Sequence, residues 1–471
     1  MRTVLLLNPP SPDLVIRDYY CSKTTRSNYL FPPIDLVTQS GRLAQHFDVS
    51  LIDAVAERLS TEQCMQRILA ARPEAILFLT GAVSWTYDFP FLADVEQRLG
   101  NGVQMVGSGD VFLEEGERWL EEHPWIDGVI LDFSSDDVAQ YLLGKDEAVE
   151  NMVLRRDGSV RTLRQPRARG DAFELPLPRH ELFQIPGYHF SFVRAAPFTT
   201  MLTDFGCPYP CSFCVMSGLG SKFRSVDNVM EELHHAKSLG VREIFFIDQT
   251  WGVHRKRNRE LCQRMIDEKL NLGWVTFTRA DILKAEDLDL WKRAGCHTLM
   301  MGVESASPEM LKHYKKGYKA DEVADGLQMV RDAGIRTVGT FILGLPEDTR
   351  ESIEATTRLA CALPLDFASF SVAVPRFGTP LRAQAREAGL IDDLRVMDQS
   401  GETIAMATHT LTRDEVMDLK RKAIRTFYLR PSFLWRRLRD VGSLWELRAQ
   451  VVEGMALLGR NFGSRPPAIT E

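Results

Sequence analysis

The sequence predicts an α/β protein with two parallel-sheet domains: a doubly wound Rossmann-like domain, then a partial (β/α)6 TIM-type barrel, with a helical C-terminal region. Three observations predict this. Short apolar runs alternate with helical patterns over residues 1–145. The rhythm breaks over 146–198, and it resumes over 199–390 with six further strand-like runs. Alternation of this kind, strand then helix repeatedly, is the signature of parallel sheets with helical crossovers.

In the first domain, TVLLLN (3–8), VSLIDA (49–54), AILFLT (75–80), VQMVG (103–107) and GVILDF (128–133) read as strands. They are short, apolar and bounded by Pro, Gly, Asp or Asn. Between them, segments such as STEQCMQRILAARP repeat apolar residues at helical spacing, with Ser60 as N-cap and Gln63 three residues on. RDYYCSKTTRSNYLFPP (17–33) joins the first strand to the first helix and is long for such a loop. It lies at the carboxyl edge of the sheet, where doubly wound domains bind ligands, so Tyr20 and Cys21 are candidates for contact with substrate or cofactor.

The segment 146–198 reads as a linker. VLRRDGSVRTL carries an Asp-Gly turn and predicts a hairpin, and RQPRARGD and LPLPRHELFQIPG are Pro-rich and irregular. The barrel strands follow: TTMLTDF (199–205), EIFFID (243–248), WVTFTR (274–279), TLMMGVE (298–304), TVGTFILG (337–344) and DFASFSVAVP (366–375). Chemistry in such a fold sits on loops after the carboxyl ends of the strands. Residues 391–471 are read as a helical region, and FYLRPSFLWRRLRD (427–440) within it is basic and aromatic. A packed helix with a solvated charged face accounts for that composition, so membrane association is not expected, while a lipid-like substrate stays open.

A net charge of −7 argues against a nucleic-acid-coating protein. The N-terminal apolar run is too short for a secretory signal, and a cytoplasmic location is expected. There thiols stay reduced, and clustered cysteines bind metal more often than they form disulfides.

Three of the eight cysteines stand in CPYPCSFC, at 207, 211 and 214. A closed zinc site takes four ligands, and three thiolates can hold a [4Fe–4S] cluster with one iron open to a small molecule. The loop follows the first barrel strand, Pro208 and Pro210 stiffen it, and Phe213 is placed to shield a cluster from water. A zinc site completed by a distant residue, or three unrelated cysteines, are the alternatives.

This motif, with its aromatic before the third cysteine, resembles the signature of the radical S-adenosylmethionine (radical SAM) superfamily. The resemblance implies that Cys207, Cys211 and Cys214 ligate the cluster and that SAM chelates the open iron. Electron transfer would break the S–C5′ bond, and the resulting 5′-deoxyadenosyl radical would abstract hydrogen from an unactivated carbon. On the other strand ends, Asp248 is expected at the SAM amine, Arg279 at its carboxylate, and Glu304 at the ribose hydroxyls with Ser305 adjacent. Backbone around Phe341 and Gly344 is expected against adenine. An external electron donor such as flavodoxin or ferredoxin is implied, as is a small-molecule or lipid-like substrate. The ten histidines form no usable constellation, and no catalytic acid or base is assigned.

The first domain, with NPP (8–10), FPPIDL (31–36) and FGTPL (377–381), resembles that of cobalamin (B12)-binding radical SAM enzymes. The resemblance implies methyl transfer first, and rearrangement, dehydration or ring formation next. A non-catalytic iron–sulfur protein is the alternative from another class. The sequence departs from the group where a corrinoid sits. GSGD, Gly107, Ser108, Gly109 and Asp110, stands where a GGPH-like turn is usual, and LDFSSDD (131–137) replaces a Gly-rich segment. Phe133 and the carboxylates after it should narrow and charge that crevice. Either the cofactor sits differently, or the domain keeps its fold without the ligand.

Overall fold

The computed structural model describes residues 1–19, 21–25, 29–100, 102–165, 169–391 and 406–440. The first domain opens with β1 (Thr3–Asn8), then a short hairpin of β2 (Val15–Asp18) and β3 (Cys21–Thr24). β4 (Asp48–Asp53), β5 (Ala75–Leu79), β6 (Gln104–Ser108) and β7 (Gly128–Ile130) follow, and the sheet order begins β4-β1-β5-β6-β7, all parallel. Because β4 lies on one side of β1 and β5 on the other, the topological switch point falls between the carboxyl ends of β1 and β5. The central strands are apolar on both faces because helices cover both; every residue of β5 is buried. Ser60 caps its helix reciprocally with Gln63, as the spacing predicts.

The hairpin of β8 (Asn151–Arg156) and β9 (Ser159–Arg164) forms as expected, with Asp157 and Gly158 both at positive φ in the turn. Its placement differs from the linker reading. β8 pairs antiparallel with β7 and extends the first sheet to seven strands. Met152, Val153 and Leu154 are all buried, Met152 and Leu154 in one core cluster and Val153 in another, so β8 is covered on both faces, whereas no residue of the outer strand β9 is buried.

A small sheet of β10 (Arg169–Phe173), β12 (Asp204–Gly206) and β13 (Ser221–Arg224) sits beside the barrel, whose six strands are β11 (Phe198–Met201), β14 (Glu243–Phe246), β15 (Gly273–Thr278), β16 (Cys296–Glu304), β17 (Arg336–Leu343) and β18 (Phe367–Val372). They pair in that order, every neighbour parallel. The linker fills the amino-terminal end of the barrel. Phe190 stacks on Phe245 at 4.5 Å, Phe31 meets Phe245 edge-on, and Phe192 meets Phe367, the first residue of β18. These rings bury apolar area at the closed end and leave the carboxyl end for chemistry.

The helix Arg413–Tyr428 docks on the barrel's last strand through Tyr428, whose hydroxyl donates to Ala368 O at 2.7 Å. Phe427 and Phe433 of the basic aromatic stretch are buried, whereas Trp435 is 72 % exposed. Among the described residues no helix is long and apolar enough to cross a membrane. Tyr20 lies outside the described residues.

Candidate active site

β12 runs into the cysteine loop, and Gly206 makes the entry. Its φ is +75°, and a Cβ there would lie 2.1 Å from Gly220 O. Cys207 N–H donates to that same carbonyl at 2.8 Å, so β12 and β13 clamp the loop at its root. Cys214 N–H donates to Cys211 O at 3.1 Å, and Ser212 N–H donates to Tyr314 O, tying the loop to the segment after β16. The three thiols feel one another. Cys214 is pushed up to about 12, by burial first and further by Cys207 and Cys211. For Cys211 burial again dominates, with Lys316 and Arg279 pulling the other way. Among the described residues no three His, Cys, Asp or Glu side chains converge tightly enough for a single ion. A polynuclear cluster spreads its thiolates more widely than a single ion does.

Glu304 ends β16 at φ +64°, past a register shift between Gly302 and Glu304. This places the carboxylate beside Lys316, with Nζ to Oε1 at 2.6 Å and both side chains 9 % exposed. Gly302 makes room for the pair. A Cβ at that position would lie 2.1 Å from Glu304 Oε1 and 2.7 Å from Lys316 Nζ. Burial alone would lower the Lys316 ammonium, and the Glu304 carboxylate beside it outweighs that and holds it charged. Sequence reasoning missed Lys316: in YKKGYK it reads as a turn after a short helix, and only the fold returns that turn to the cysteine loop.

Arg279, at the end of β15, bridges three elements of the site. Its Nε and Nη2 pair with Asp281, Nη2 also donates to Lys316 O at 2.8 Å, and its plane lies 3.9 Å from the Tyr209 ring centroid. The fork expected for the SAM carboxylate is thus largely engaged by Asp281, whereas Lys316 has one of its three donors used.

The other expected residues also have partners within the chain. Asp248 is fully buried and accepts from Thr203 N at 2.6 Å, Asp204 N at 3.0 Å and the Thr203 hydroxyl. Both oxygens brace the chain entering β12, just upstream of the cysteine loop. Beside it, burial pushes Asp204 up to about 8 against the pull of Arg257. Ser305 Oγ accepts from Ser307 N at 3.2 Å and holds the turn after β16. Phe341 stacks on Phe370 in the core, which leaves only its backbone for a ligand. Gly344 has φ +83°, and a Cβ there would meet Val416 Cγ1 at 2.6 Å. Gly344→Ala is therefore expected to cost about 1–3 kcal/mol, read as a fall in the thermal midpoint; an unchanged midpoint would mean that the helix Arg413–Tyr428 does not press on this turn.

In the first domain, all four residues expected at a corrinoid are engaged elsewhere. Gly107 lies against Phe112 and Phe78, and Gly109 against Thr80 O. Ser108 Oγ donates to Asp35 at 2.8 Å. Asp110 accepts from Ala82 N at 2.9 Å and pairs with Arg376 of the barrel domain. As folded, these residues do not fit a corrinoid.

Residues 202–360 match the radical SAM superfamily model. An uncharacterized methyltransferase of Pyrococcus horikoshii is 29 % identical over 86 % of this chain and 89 % of its own. The anaerobic magnesium-protoporphyrin IX monomethyl ester cyclase of Cereibacter sphaeroides is 26 % identical over 88 % of this chain and 69 % of its own. The solved radical SAM methyltransferase TsrM from Kitasatospora setae, with cobalamin and a [4Fe–4S] cluster bound, superimposes with a TM-score of 0.68 at 15 % identity, covering 97 % of this chain and 99 % of that one. With the cysteine loop at the carboxyl end of a parallel barrel and both domains aligned to that fold, the chain is a radical SAM enzyme whose barrel follows a domain of the cobalamin-binding-like fold.

Proposed function

We propose that Cys207, Cys211 and Cys214 hold a [4Fe–4S] cluster, that Glu304 and Lys316 hold SAM beside it, and that the enzyme takes hydrogen from an unactivated carbon of a small molecule and methylates it. The observation that carries the radical chemistry is the meeting of the cysteine loop with the Glu304–Lys316 pair and Arg279 at the ends of consecutive strands. When bound, the cluster supplies one electron that breaks the S–C5′ bond of SAM. The chain's own work is to bind and to orient. Lys316 offers two further donors to a carboxylate. Glu304 keeps its second oxygen for a hydroxyl or amine. Phe213 and Tyr314 lie beside the loop and limit water. The name of the Pyrococcus relative supports methyl transfer as the outcome.

A second reading is radical ring formation, rearrangement or dehydration with no corrinoid. The name of the cyclase relative supports it, and so does the engagement of Gly107, Ser108, Gly109 and Asp110 within the protein. The electron donor is read as a low-potential protein such as flavodoxin or ferredoxin, and the substrate as a small or lipid-like molecule.

The test is to incubate the reconstituted, reduced enzyme with methyl-labelled SAM and a small-molecule extract. S-adenosylhomocysteine together with label in an extract component is the expected result. 5′-Deoxyadenosine without S-adenosylhomocysteine would transfer the assignment to the second reading. Neither product would contradict both.

A further inference from the structure

The carboxyl edge of the first sheet is where a ligand of a doubly wound domain sits, and every parallel strand end there is bound by the chain itself. At the switch point, Arg17 of β2 lies between the ends of β1 and β5 with its side chain wholly buried. Its Nη1 donates to Asn8 Oδ1 at 2.8 Å and Pro9 O at 2.9 Å; its Nε donates to Ser84 Oγ and Asp88 Oδ2, both at 3.0 Å; its Nη2 pairs with Asp88 Oδ1 at 2.5 Å. Asp88 also accepts from Thr80, the residue after β5, at 2.9 Å. Asp53, ending β4, accepts from Asn8 and from the Tyr188 hydroxyl, each at 2.8 Å. Ser108, ending β6, donates to Asp35. Leu131 O, after β7, accepts from the buried Tyr19 hydroxyl.

The same edge faces the barrel domain and is shut from that side too. Phe133 is fully buried between Tyr19 and Phe205, at centroid distances of 5.4 and 5.3 Å. Lys222 Nζ pairs with Asp132 at 2.6 Å, and Glu114 takes Arg382 at 3.0 Å and Arg386 at 2.9 Å. A large planar ring or its nucleotide tail would have to break a buried, fully matched charge pair and pull apart both of the Phe133 ring contacts. Such a pair resists separation because either partner alone is left charged in a low-dielectric interior.

We propose that the β2–β3 hairpin, through Arg17 and Tyr19, closes this edge, and that the first domain serves as a scaffold that binds no corrinoid. The inference concerns the first domain alone and stands whether or not the barrel's proposed reaction is right; if it holds, methyl transfer has no corrinoid carrier on this edge, and the second reading gains. The test is anaerobic reconstitution of the full chain with iron, sulfide and hydroxocobalamin, desalting and an optical spectrum, with TsrM treated in parallel as the loading control. Amide hydrogen exchange of the reconstituted chain is measured over 15–18 and 128–133. The expected result is iron–sulfur absorption with no corrinoid bands, and slow exchange at both segments. Stoichiometric corrinoid in this chain would overturn the proposal. So would absence of corrinoid with fast exchange at both segments, since an open but unused crevice is not a closed one.

Discussion

Cys211→Ser is expected to strip the chain of its iron–sulfur absorption and reduce SAM cleavage to background while leaving the fold in place. Cys211 is buried, and serine fills nearly its volume, so the barrel loses little packing. The loss is chemical. Two thiolates and an alkoxide-type donor do not replace three thiolates around iron, whose preference is for soft sulfur ligands. Iron and acid-labile sulfide per chain are the readout, with circular dichroism as the check on folding. Cys361→Ser, outside the loop and half-buried, is the companion variant and is expected to keep its full iron. Equal iron in both variants would mean that the loop does not hold the cluster.

Lys316→Met is expected to produce the second large effect, and on two observables. Removing the ammonium leaves Glu304 buried with its charge unpaired, which costs about 3–5 kcal/mol of stability. Burial at 9 % exposure on both sides means that solvent screens little of this. The thermal midpoint should fall, and SAM affinity in the reconstituted protein should fall with it, because the cation beside the cysteine loop is gone. Adding Glu304→Gln to the same chain removes the stranded charge and should recover most of the stability without recovering SAM affinity. That split separates the structural cost from the binding role of the Glu304–Lys316 pair as a whole. A single variant with unchanged midpoint and unchanged SAM binding would refute the assignment of Lys316.

The doubly wound sheet and the six-stranded barrel were legible because each strand is a short apolar run and each crossover a helical pattern, both local signals. The cysteine loop was legible for the same reason, since its three cysteines lie within eight residues. What escaped was long-range. Asp248 ends a strand in sequence, but its oxygens are spent 44 and 45 residues upstream on the chain entering β12. Lys316 meets Glu304 only because a tight turn, with Lys315 and Gly317 both at positive φ, folds the segment back. The closed edge of the first sheet is the largest case. The sequence showed that GSGD and LDFSSDD depart from a corrinoid site and that Phe133 should narrow it. It did not show that Arg17, from the loop after β1, would find Asp88 seventy-one residues on and fill the switch point. A polar residue in a long loop carries no mark of its partner until topology brings the two together.

The most direct test of the central claim is the fate of SAM on the reconstituted, reduced enzyme in the absence of any substrate. 5′-Deoxyadenosine is expected from the wild type and none from Cys211→Ser under the same reductant. A wild-type chain with a full complement of iron and sulfide that binds SAM and returns it intact would contradict it.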